Sequence, residues 1–220
     1  MIESDARAIA DRLRADFKRI DPMNHADWAG STASKVIDCV LSLRKPYATV
    51  VAPRIERFMR EQQSISTCAH LLALIREYRS PLAFFRHALD MDSPGKARML
   101  MGVLEALLDA QERFDGADEP ARLLAWACWA RPGDHLMFDI PGFKLAGFQY
   151  LRMLFGADTV KPDTHILDYV ARAIGRPVAT DAAAVRSVYA LERAAELIGC
   201  SARAVDSAIW KRAQHQAGRS

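Results

Sequence analysis

The stretch FDIPGFKLAGFQYLRMLFGADTVKPDTHILDYVARA, residues 138–173, determines how the rest of the chain can be arranged. It predicts a turn rich in glycine and proline, a helix that begins at Lys144, a short loop, and a second helix that begins at Asp163. An amine that can act as a nucleophile and a carboxylate thus stand at two helix starts, 19 positions apart (163 − 144). One helix and a turn can fold this distance back on itself, so we expect the two groups to share a site.

The composition indicates one sizeable domain, or one domain in two lobes, with a real hydrophobic core. The chain has 220 residues, and its 30 Lys and Arg against 27 Asp and Glu give a net charge of +3. This charge does not by itself indicate nucleic-acid binding, so a polyanionic partner must be bound by a local patch. No apolar run approaches the roughly 18 residues of a membrane helix, and the N-terminus lacks the apolar core of a signal peptide. We therefore expect a soluble, cytoplasmic protein without membrane association.

The cysteines are Cys39, Cys68, Cys128 and Cys200, each in an apolar helical context and far from the others in sequence. Their spacing matches neither a Cys-x-x-Cys motif nor a Cys/His metal site. We predict that they are small core residues in a reducing compartment. The sequence indicates no metal site and no cofactor.

Helical periodicity extends through nearly the whole chain, and the alternation typical of strands is nearly absent, so we predict an all-α fold of about ten helices. The first helix should end at Asp21-Pro22, because the residue before a proline is disfavoured in helical geometry. Its buried face consists of residues at helical spacing: Ala6, Ile9, Leu13, Phe17 and Ile20. Further helix starts are predicted by capping residues, which are Ser66 or Thr67, Ser80, Ser93, Thr180 or Asp181, and Ser201. Gly175 is predicted to end the helix that begins at Asp163.

Two motifs follow the helix at Lys144 at fixed distances. They are Phe155-Gly156 and, after a short loop, Asp163-Thr164-His165-Ile166. Together with the preceding G-F-K-L-A they resemble the helix-hairpin-helix DNA glycosylase superfamily (HhH-GPD), whose best-known branch is the endonuclease III type. The spacing from the lysine to the aspartate resembles the oxoguanine-glycosylase branch and is one residue longer than in the endonuclease III branch. In that family a hairpin L-P-G-V-G-x-K-x-A is followed by F-G and then by V-D-x-H-[IV]. The cysteine cluster that holds an iron-sulfur centre in many endonuclease III relatives is missing from this sequence.

The hairpin can be aligned with the family in two ways. An ungapped alignment keeps Lys144 and Ala146 in register and places Gly142 at the second hairpin glycine, with Ile140 at the first. Matching Pro141 and Gly142 to the family Pro-Gly instead shortens the hairpin and leaves the lysine position open. We prefer the ungapped alignment, which requires only one degenerate glycine.

The resemblance implies two helical lobes with a cleft between them. One would be a six-helix barrel formed by residues 35–155 and ending in the hairpin helix, and the other would combine residues 1–34 with 156–220. In the family the lysine, here Lys144, is the Schiff-base nucleophile of bifunctional members, and the aspartate, here Asp163, is the acid of all active members. In VLSLRKPY, residues 40–47, Arg44 stands where the family has a glutamine that enters the DNA stack. The residues predicted to bind DNA are Gly142, Phe143, Arg44, Lys161 and His165, and those predicted to line a base pocket are Gln149 and Trp126.

Simpler interpretations exist for the same residues. A lysine at a helix start can be solvated or pair with a phosphate, and Asp163 is also a favoured N-cap. Capping and catalysis are compatible for Asp163, since a cap can fix the carboxylate in place. His165 is expected only to support the site. Trp126, at helical spacing from Trp129, is more typical of a core.

The resemblance therefore implies a base-excision-repair DNA glycosylase with DNA-(apurinic or apyrimidinic site) lyase activity. Its partner would be double-stranded DNA with a damaged or mismatched base, which is flipped out of the helix, and the protein would be a monomer associated with the nucleoid. Lys144 would attack the sugar while Asp163 moves the proton. Two alternatives remain: a monofunctional glycosylase in which water attacks, and a non-catalytic helix-hairpin-helix scaffold that binds DNA.

Overall fold

A computed structural model describes residues 1–22 and 30–217 of the protein. The regular structure in these residues is entirely helical, without a β-strand, which confirms the predicted all-α fold. The α-helices are α1 (Ile2–Asp16), α2 (Thr32–Ser42), α3 (Ala52–Glu61), α4 (Cys68–Glu77), α5 (Pro81–Ala88), α6 (Pro94–Gln111), α7 (Glu119–Trp129), α8 (Leu145–Leu154), α9 (Thr164–Ile174), α10 (Asp181–Ile198) and α11 (Ala202–Ala217). Within these described ranges, no helix combines the length and the apolar character needed to cross a membrane.

Most predicted helix starts are confirmed by their capping hydrogen bonds. The side chains of Thr67, Ser80, Thr180 and Ser201 each accept a hydrogen bond from the backbone N–H three residues on, at 3.0–3.2 Å. Such bonds satisfy amide groups that have no partner inside the helix. Ser93 precedes α6 as predicted, but its side chain makes no capping hydrogen bond.

The first helix is shorter than predicted. It ends at Asp16 rather than at Asp21-Pro22, and Phe17 is already extended, with φ −129° and ψ 117°. The guanidinium of Arg212 donates a hydrogen bond to the Asp16 carbonyl oxygen over 2.8 Å, so this carbonyl at the helix end has a partner outside the helix. Phe17 and Ile20 nevertheless pack against the hydrophobic cluster that includes the buried residues of α1. Their apolar pattern therefore indicates burial, although these residues are not helical.

The hydrophobic core consists of two clusters. The first cluster is formed by α2 to α8 and the connections between them, within residues 33–157. The second cluster is formed by α1 and α9 to α11, joined by Leu145 and Val160. This division falls close to the boundaries expected for the two lobes, whose assignment as lobes stays a prediction. Residues 23–29 and 218–220, which belong to the expected second lobe, lie outside the described residues.

Helix α8 lies between the two clusters. Phe148 and Leu151 pack into the first cluster, whereas Leu145 belongs to the second.

A second link joins the two parts of the molecule near this helix, where Nε2 of the buried His135 lies 3.0 Å from Oδ2 of Asp181 at the start of α10. The other ring nitrogen, Nδ1, lies 2.8 Å from a carbonyl oxygen and must donate to it, so the imidazole donates to both partners only when it is protonated.

A π-helical turn, Tyr47–Val51, precedes α3 and is not predicted from the sequence. The backbone N–H of Ala52 bonds to the carbonyl oxygen of Tyr47, five residues back, instead of four as in an α-helix. The turn follows Pro46, which lies four residues after the end of α2. Its first residue, Tyr47, is 42% exposed.

The cysteines divide into two pairs. Cys39 and Cys68 are buried, as predicted, but Cys128 is exposed and Cys200 is only partly buried, so the prediction that all four are core residues is wrong. Cys128 lies in the last turn of α7, and Cys200 follows the end of α10. Both lie at the end of a helix, where helical spacing does not reveal exposure.

Candidate active site

The hairpin before α8 has an irregular first arm. A 3₁₀ helix, Pro132–Phe138, takes the place of an α-helix, and a turn closed by the 2.9 Å hydrogen bond from Phe143 N–H to the Ile140 carbonyl oxygen follows it. Gly142 in this turn has φ +84°, a conformation that favours glycine. Ile140 packs on α6, since a Cβ built on Gly102 would lie 3.1 Å from its side chain. The residue that replaces the expected glycine therefore anchors the hairpin to the first cluster.

Lys144 and Phe143 lie at the start of α8 with opposite exposure. Lys144 occupies the N-cap position, and its exposed side chain makes no hydrogen bond or ion pair with any described residue. The side chain of Phe143 is 3% exposed and stacks on Phe138, with ring centroids 5.9 Å apart. Because it is a core residue, the side chain of Phe143 cannot contact DNA as predicted.

Asp163 caps α9. Its Oδ1 accepts a hydrogen bond from the Ile166 N–H over 3.1 Å, and α9 ends at Gly175 with φ +69°, as predicted. His165 follows in the first turn of the helix and is partly buried. The capping role of Asp163 is thus confirmed, while its catalytic role stays a prediction.

The short turn before α9 places Lys161 between several groups. The Lys161 carbonyl oxygen accepts a hydrogen bond from Asp163 N–H over 2.7 Å, and the Lys161 N–H donates to Oδ1 of Asp206 in α11 over 2.8 Å. The ammonium group of Lys161 lies 4.0 Å from the ring centroid of Tyr150 in α8. This cation–π contact joins the turn that carries Asp163 to the helix that follows Lys144.

Asp38 in α2 lies at the other end of the Tyr150 side chain. Its Oδ1 accepts hydrogen bonds from Ser42 Oγ at 2.7 Å and Tyr150 Oη at 3.1 Å, and its Oδ2 accepts one from Tyr47 Oη at 3.0 Å. Asp38 is only 8% exposed. Burial raises the pKa of its carboxyl, and the three hydroxyl groups and the charge of Lys161 offset this only in part.

Asp206 is the second carboxyl group with a raised pKa. Burial raises its pKa to about 7, and the negative charge of Asp163 acts in the same direction. The N–H and the charge of Lys161 oppose the shift. These contacts and charges connect one group of residues between the two clusters, which we call the seam site. It consists of Asp38, Tyr150, Lys161, Asp163 and Asp206. Two acids with raised pKa values at one site allow proton transfer closer to neutral pH than free carboxyl groups do.

Four cations lie near the end of α2, and one of them is Lys161 of the seam site. Lys96 is buried there and donates hydrogen bonds to three carbonyl oxygens at the end of α2, at 2.5–3.2 Å. Burial lowers the pKa of Lys96 to about 8, and the charges of Lys45, Arg44 and Lys161 lower it as well. Arg44 is exposed and has φ +58°, an uncommon conformation for a residue other than glycine. This concentration of positive charge favours an anion.

The two residues predicted to line a base pocket lie in the interior. Gln149 is 0% exposed, and its amide bonds to Thr159 Oγ1 at 2.6 Å and to Arg152 Nη1 at 2.7 Å. Trp126 is 4% exposed and contacts three phenylalanine rings of the first cluster. Both residues hold the structure around α8 and do not line an open pocket.

Several residues of the site are not singled out by the sequence. Asp38 and Ser42 are four positions apart on one helix, and Tyr47 lies in the VLSLRKPY motif. For these three residues the local sequence therefore contained an indication that they lie close together. Tyr150 and Asp206 carry no such signal, because only the tertiary fold brings them to Asp38 and Lys161. Among the residues that the structure describes, no group of three or more His, Cys, Asp or Glu side chains could hold a metal ion.

Comparison with known proteins gives one partial match. Residues 139–214 match a family model described as a domain of unknown function (DUF8548). This range, about a third of the chain, begins at the hairpin and ends in α11, so it includes Lys144, Asp163 and Asp206 but not Asp38. No curated protein and no solved structure matches the chain.

Proposed function

We propose that the protein is a DNA glycosylase of base-excision repair that acts at the seam site. One observation carries the proposal: Asp163, at the start of α9, and Asp38, in α2, are connected through Lys161 and Tyr150. The motif around Asp163 resembles the HhH-GPD superfamily, and the all-α architecture with two core clusters is compatible with it.

The two carboxyl groups have different environments and therefore different roles. Asp163 is held by a backbone N–H at the helix start, and its carboxylate would stabilise the positive charge that develops on the sugar. Asp38 is buried with a raised pKa and would give its proton to the departing base. Tyr47, a residue that is 42% exposed, places its hydroxyl 3.0 Å from Asp38 Oδ2 and would connect this acid to solvent.

The exposure of Lys144 favours water as the nucleophile. An amine must be unprotonated to attack, and proteins promote this for lysine by desolvating it or placing it beside other cations. Lys144 is exposed and has no described partner. We therefore favour the hydrolytic route, with Lys144 as a phosphate contact at a helix start.

Duplex DNA would be held by the cations beside the seam site. Arg44, Lys45 and Lys161 lie close enough to the buried Lys96 for their charges to lower its pKa, so these three would face the phosphates. The exposed turn at Gly142 and the start of α8 would add backbone contacts to a phosphate. Such contacts give affinity that depends strongly on salt concentration.

The experiment is an excision assay with the full-length protein. Duplexes that carry uracil, an alkylated purine, an oxidised base or a mismatch are incubated with the protein, and the free base is measured by mass spectrometry. We expect release from at least one substrate class, and no covalent adduct after borohydride reduction. Absence of release from every duplex would overturn the proposal, while a trapped adduct that disappears in Lys144→Gln would overturn only the hydrolytic route.

The alternative, a non-catalytic scaffold, predicts a different response to Asp163→Asn. Asparagine is also a good N-cap, so this variant should keep the fold and DNA affinity. If base release disappears while binding persists, the scaffold interpretation is excluded. If the wild type binds DNA but never releases a base, the scaffold interpretation is supported.

A further inference from the structure

A pocket of about 240 Å³ lies on the other side of α8 from the seam site. One side of the pocket is formed by the end of α7 and the start of the 3₁₀ helix, and the other side by α10. The residues that line it include Arg131, Arg152, Tyr189 and Glu192. Tyr150 and Arg152 are two positions apart in α8, so their side chains leave the helix on nearly opposite sides. The pocket is therefore distinct from the group around Asp38 and Asp163.

The walls of the pocket carry buried charges of both signs. Arg152 is 4% exposed, and its Nε donates to the Ala127 carbonyl oxygen over 3.0 Å. Burial lowers the pKa of Arg152 and raises that of Glu192, so each charged form is disfavoured by loss of water. Among the described residues no ion pair joins these two side chains. The opposite charge of each partner offsets these pKa shifts only in part, so each group keeps a desolvation cost that a suitable ligand could offset.

Hydrogen bonds hold the two charged groups in place without joining them. Arg152 donates to Gln149 Oε1 over 2.7 Å, Gln149 donates to Thr159 Oγ1 over 2.6 Å, and Thr159 donates to Glu192 Oε1 over 2.6 Å. This series of hydrogen bonds runs through the interior, and the side chains at its two ends, Arg152 and Glu192, line the pocket. A guanidinium and a carboxylate are therefore fixed on facing walls before any ligand arrives, which lowers the entropy cost of binding.

We propose that this pocket binds a free α-amino acid. Its carboxylate would be bound by Arg152 and by Arg131 at the rim, and its ammonium group by Glu192. Two other carboxylates of the lining already have partners: Asp158 accepts from the first N–H groups of α11, and Glu196 pairs with Arg193. Glu192 would repel a simple anion and the two guanidinium groups a simple cation, whereas a zwitterion matches both walls. The volume lies just below the range of about 300–1,000 Å³ typical of pockets for drug-sized ligands, as suits a small metabolite.

This inference is independent of the proposed glycosylase activity. The pocket floor includes Ala157 and Asp158, which begin the connection that leads to Lys161 and Asp163. Asp158 accepts hydrogen bonds from the first N–H groups of α11, so this connection is attached to α11 as well. An amino acid in the pocket would therefore contact the connection between α8 and α9 on the side opposite to the seam site.

Isothermal titration calorimetry with the full-length protein tests the proposal. Each standard L-amino acid is titrated singly, and the tightest binder is then compared with its N-acetyl derivative and its methyl ester. We expect binding of the free amino acid and about tenfold or greater weakening for each capped form, since each lacks one charge-assisted hydrogen bond. Equal binding of the N-acetyl form, or no binding of any amino acid, would overturn the proposal.

Two variants connect the binding to the pocket. Glu192→Gln keeps an oxygen for Thr159 but removes the charge, and Arg131→Gln changes an exposed rim residue, so both should fold. Each is expected to weaken binding about tenfold or more. Arg186→Gln, an exposed arginine on α10 outside the pocket lining, is the matched control and should bind like the wild type. Unchanged affinity in both pocket variants would contradict the assigned site.

Discussion

The hydroxyl of Tyr150 donates a hydrogen bond to Asp38 Oδ1 over 3.1 Å, joining side chains 112 positions apart in the sequence. The same ring carries the ammonium group of Lys161 on its face, 4.0 Å from the centroid. Tyr150 thus joins the buried acid of α2 to the turn that presents Asp163.

Tyr150→Phe separates these two contacts. The variant keeps the ring under Lys161 but removes one donor to Asp38. We expect a decrease of about 1 kcal/mol in the free energy of unfolding, together with a measurable drop in base release. Urea unfolding and the excision assay provide the two readouts, and Tyr150→Leu, which also removes the ring, should be worse in both. Equal behaviour of the two variants would show that the ring contact has no role.

Asp163→Asn should separate catalysis from stability. Asparagine preserves the capping bond to Ile166, so the melting temperature should stay near that of the wild type, while base release falls by about 10²- to 10⁴-fold. Asp163→Ala should in addition lose about 1 kcal/mol of stability with the cap. Thermal melts and single-turnover excision measure the two effects. An Asn variant that is fully active would remove Asp163 from the mechanism.

Asp206 should make the protein less stable as the pH rises. Its folded-state pKa is about 7, above the value of the free side chain, so the folded state holds the proton longer than the unfolded state. Between about pH 4 and 7 this lowers the free energy of unfolding by up to about 1.4 kcal/mol per pH unit relative to Asp206→Asn. Urea unfolding of both proteins across this pH range measures the difference. A difference that is constant with pH would contradict the raised pKa.

The cations beside the seam site should determine the salt dependence of DNA binding. Arg44→Gln and Lys45→Gln should each weaken binding to all duplexes and lower the slope of log K against log salt by about 0.9 for each phosphate that the protein no longer neutralises. Fluorescence anisotropy over a salt series measures this slope. The exposed Arg186→Gln serves again as the control. If it has the same effect as the other two, binding depends on overall charge rather than on this group.

Gln149→Leu should destabilise the fold. The substitution leaves groups of Arg152 and Thr159 without hydrogen-bond partners in the interior, at a cost of about 1–3 kcal/mol for each group. Chemical denaturation measures the decrease in stability. Gln149→Glu, which keeps an acceptor for Arg152 but removes the donor to Thr159, should be less destabilised. A stable Leu variant would show that water or rearrangement replaces these bonds.

Local features of the fold were predictable because they depend on neighbouring residues. Thr67, Ser80 and Asp163 cap their helices through bonds to an N–H only three residues away, and such patterns are visible in the sequence. The end of α1 was not predictable in this way. The guanidinium that donates a hydrogen bond to the Asp16 carbonyl oxygen belongs to Arg212, 196 positions away in the sequence. An apolar pattern continues through Phe17 and Ile20, but it reports burial and not backbone conformation.

The candidate site was predictable in part for the same reason. The helix cap at Asp163 was predictable, because it depends on an N–H only three residues away. The predicted contact of Lys161 with DNA stays a prediction. Tyr150 and Asp206 could not be found, because their relation to Asp38 and Lys161 exists only after α2, α8 and α11 have packed. Phe143 was predicted to bind DNA and Gln149 to line a base pocket, whereas tertiary packing buries both side chains.

The π-helical turn at Tyr47–Val51 contains one residue more than an α-helical turn would hold. Deleting a single residue such as Ala48 would restore ordinary α-helical bonding, and the chain before it would rotate by about 100° around the helix axis relative to α3. Tyr47 would then point away from Asp38, and Arg44 would leave the group of cations. The length of this segment, and not only its residue types, is therefore under constraint: related chains that keep the tyrosine and the aspartate should also keep the number of residues between the tyrosine and α3.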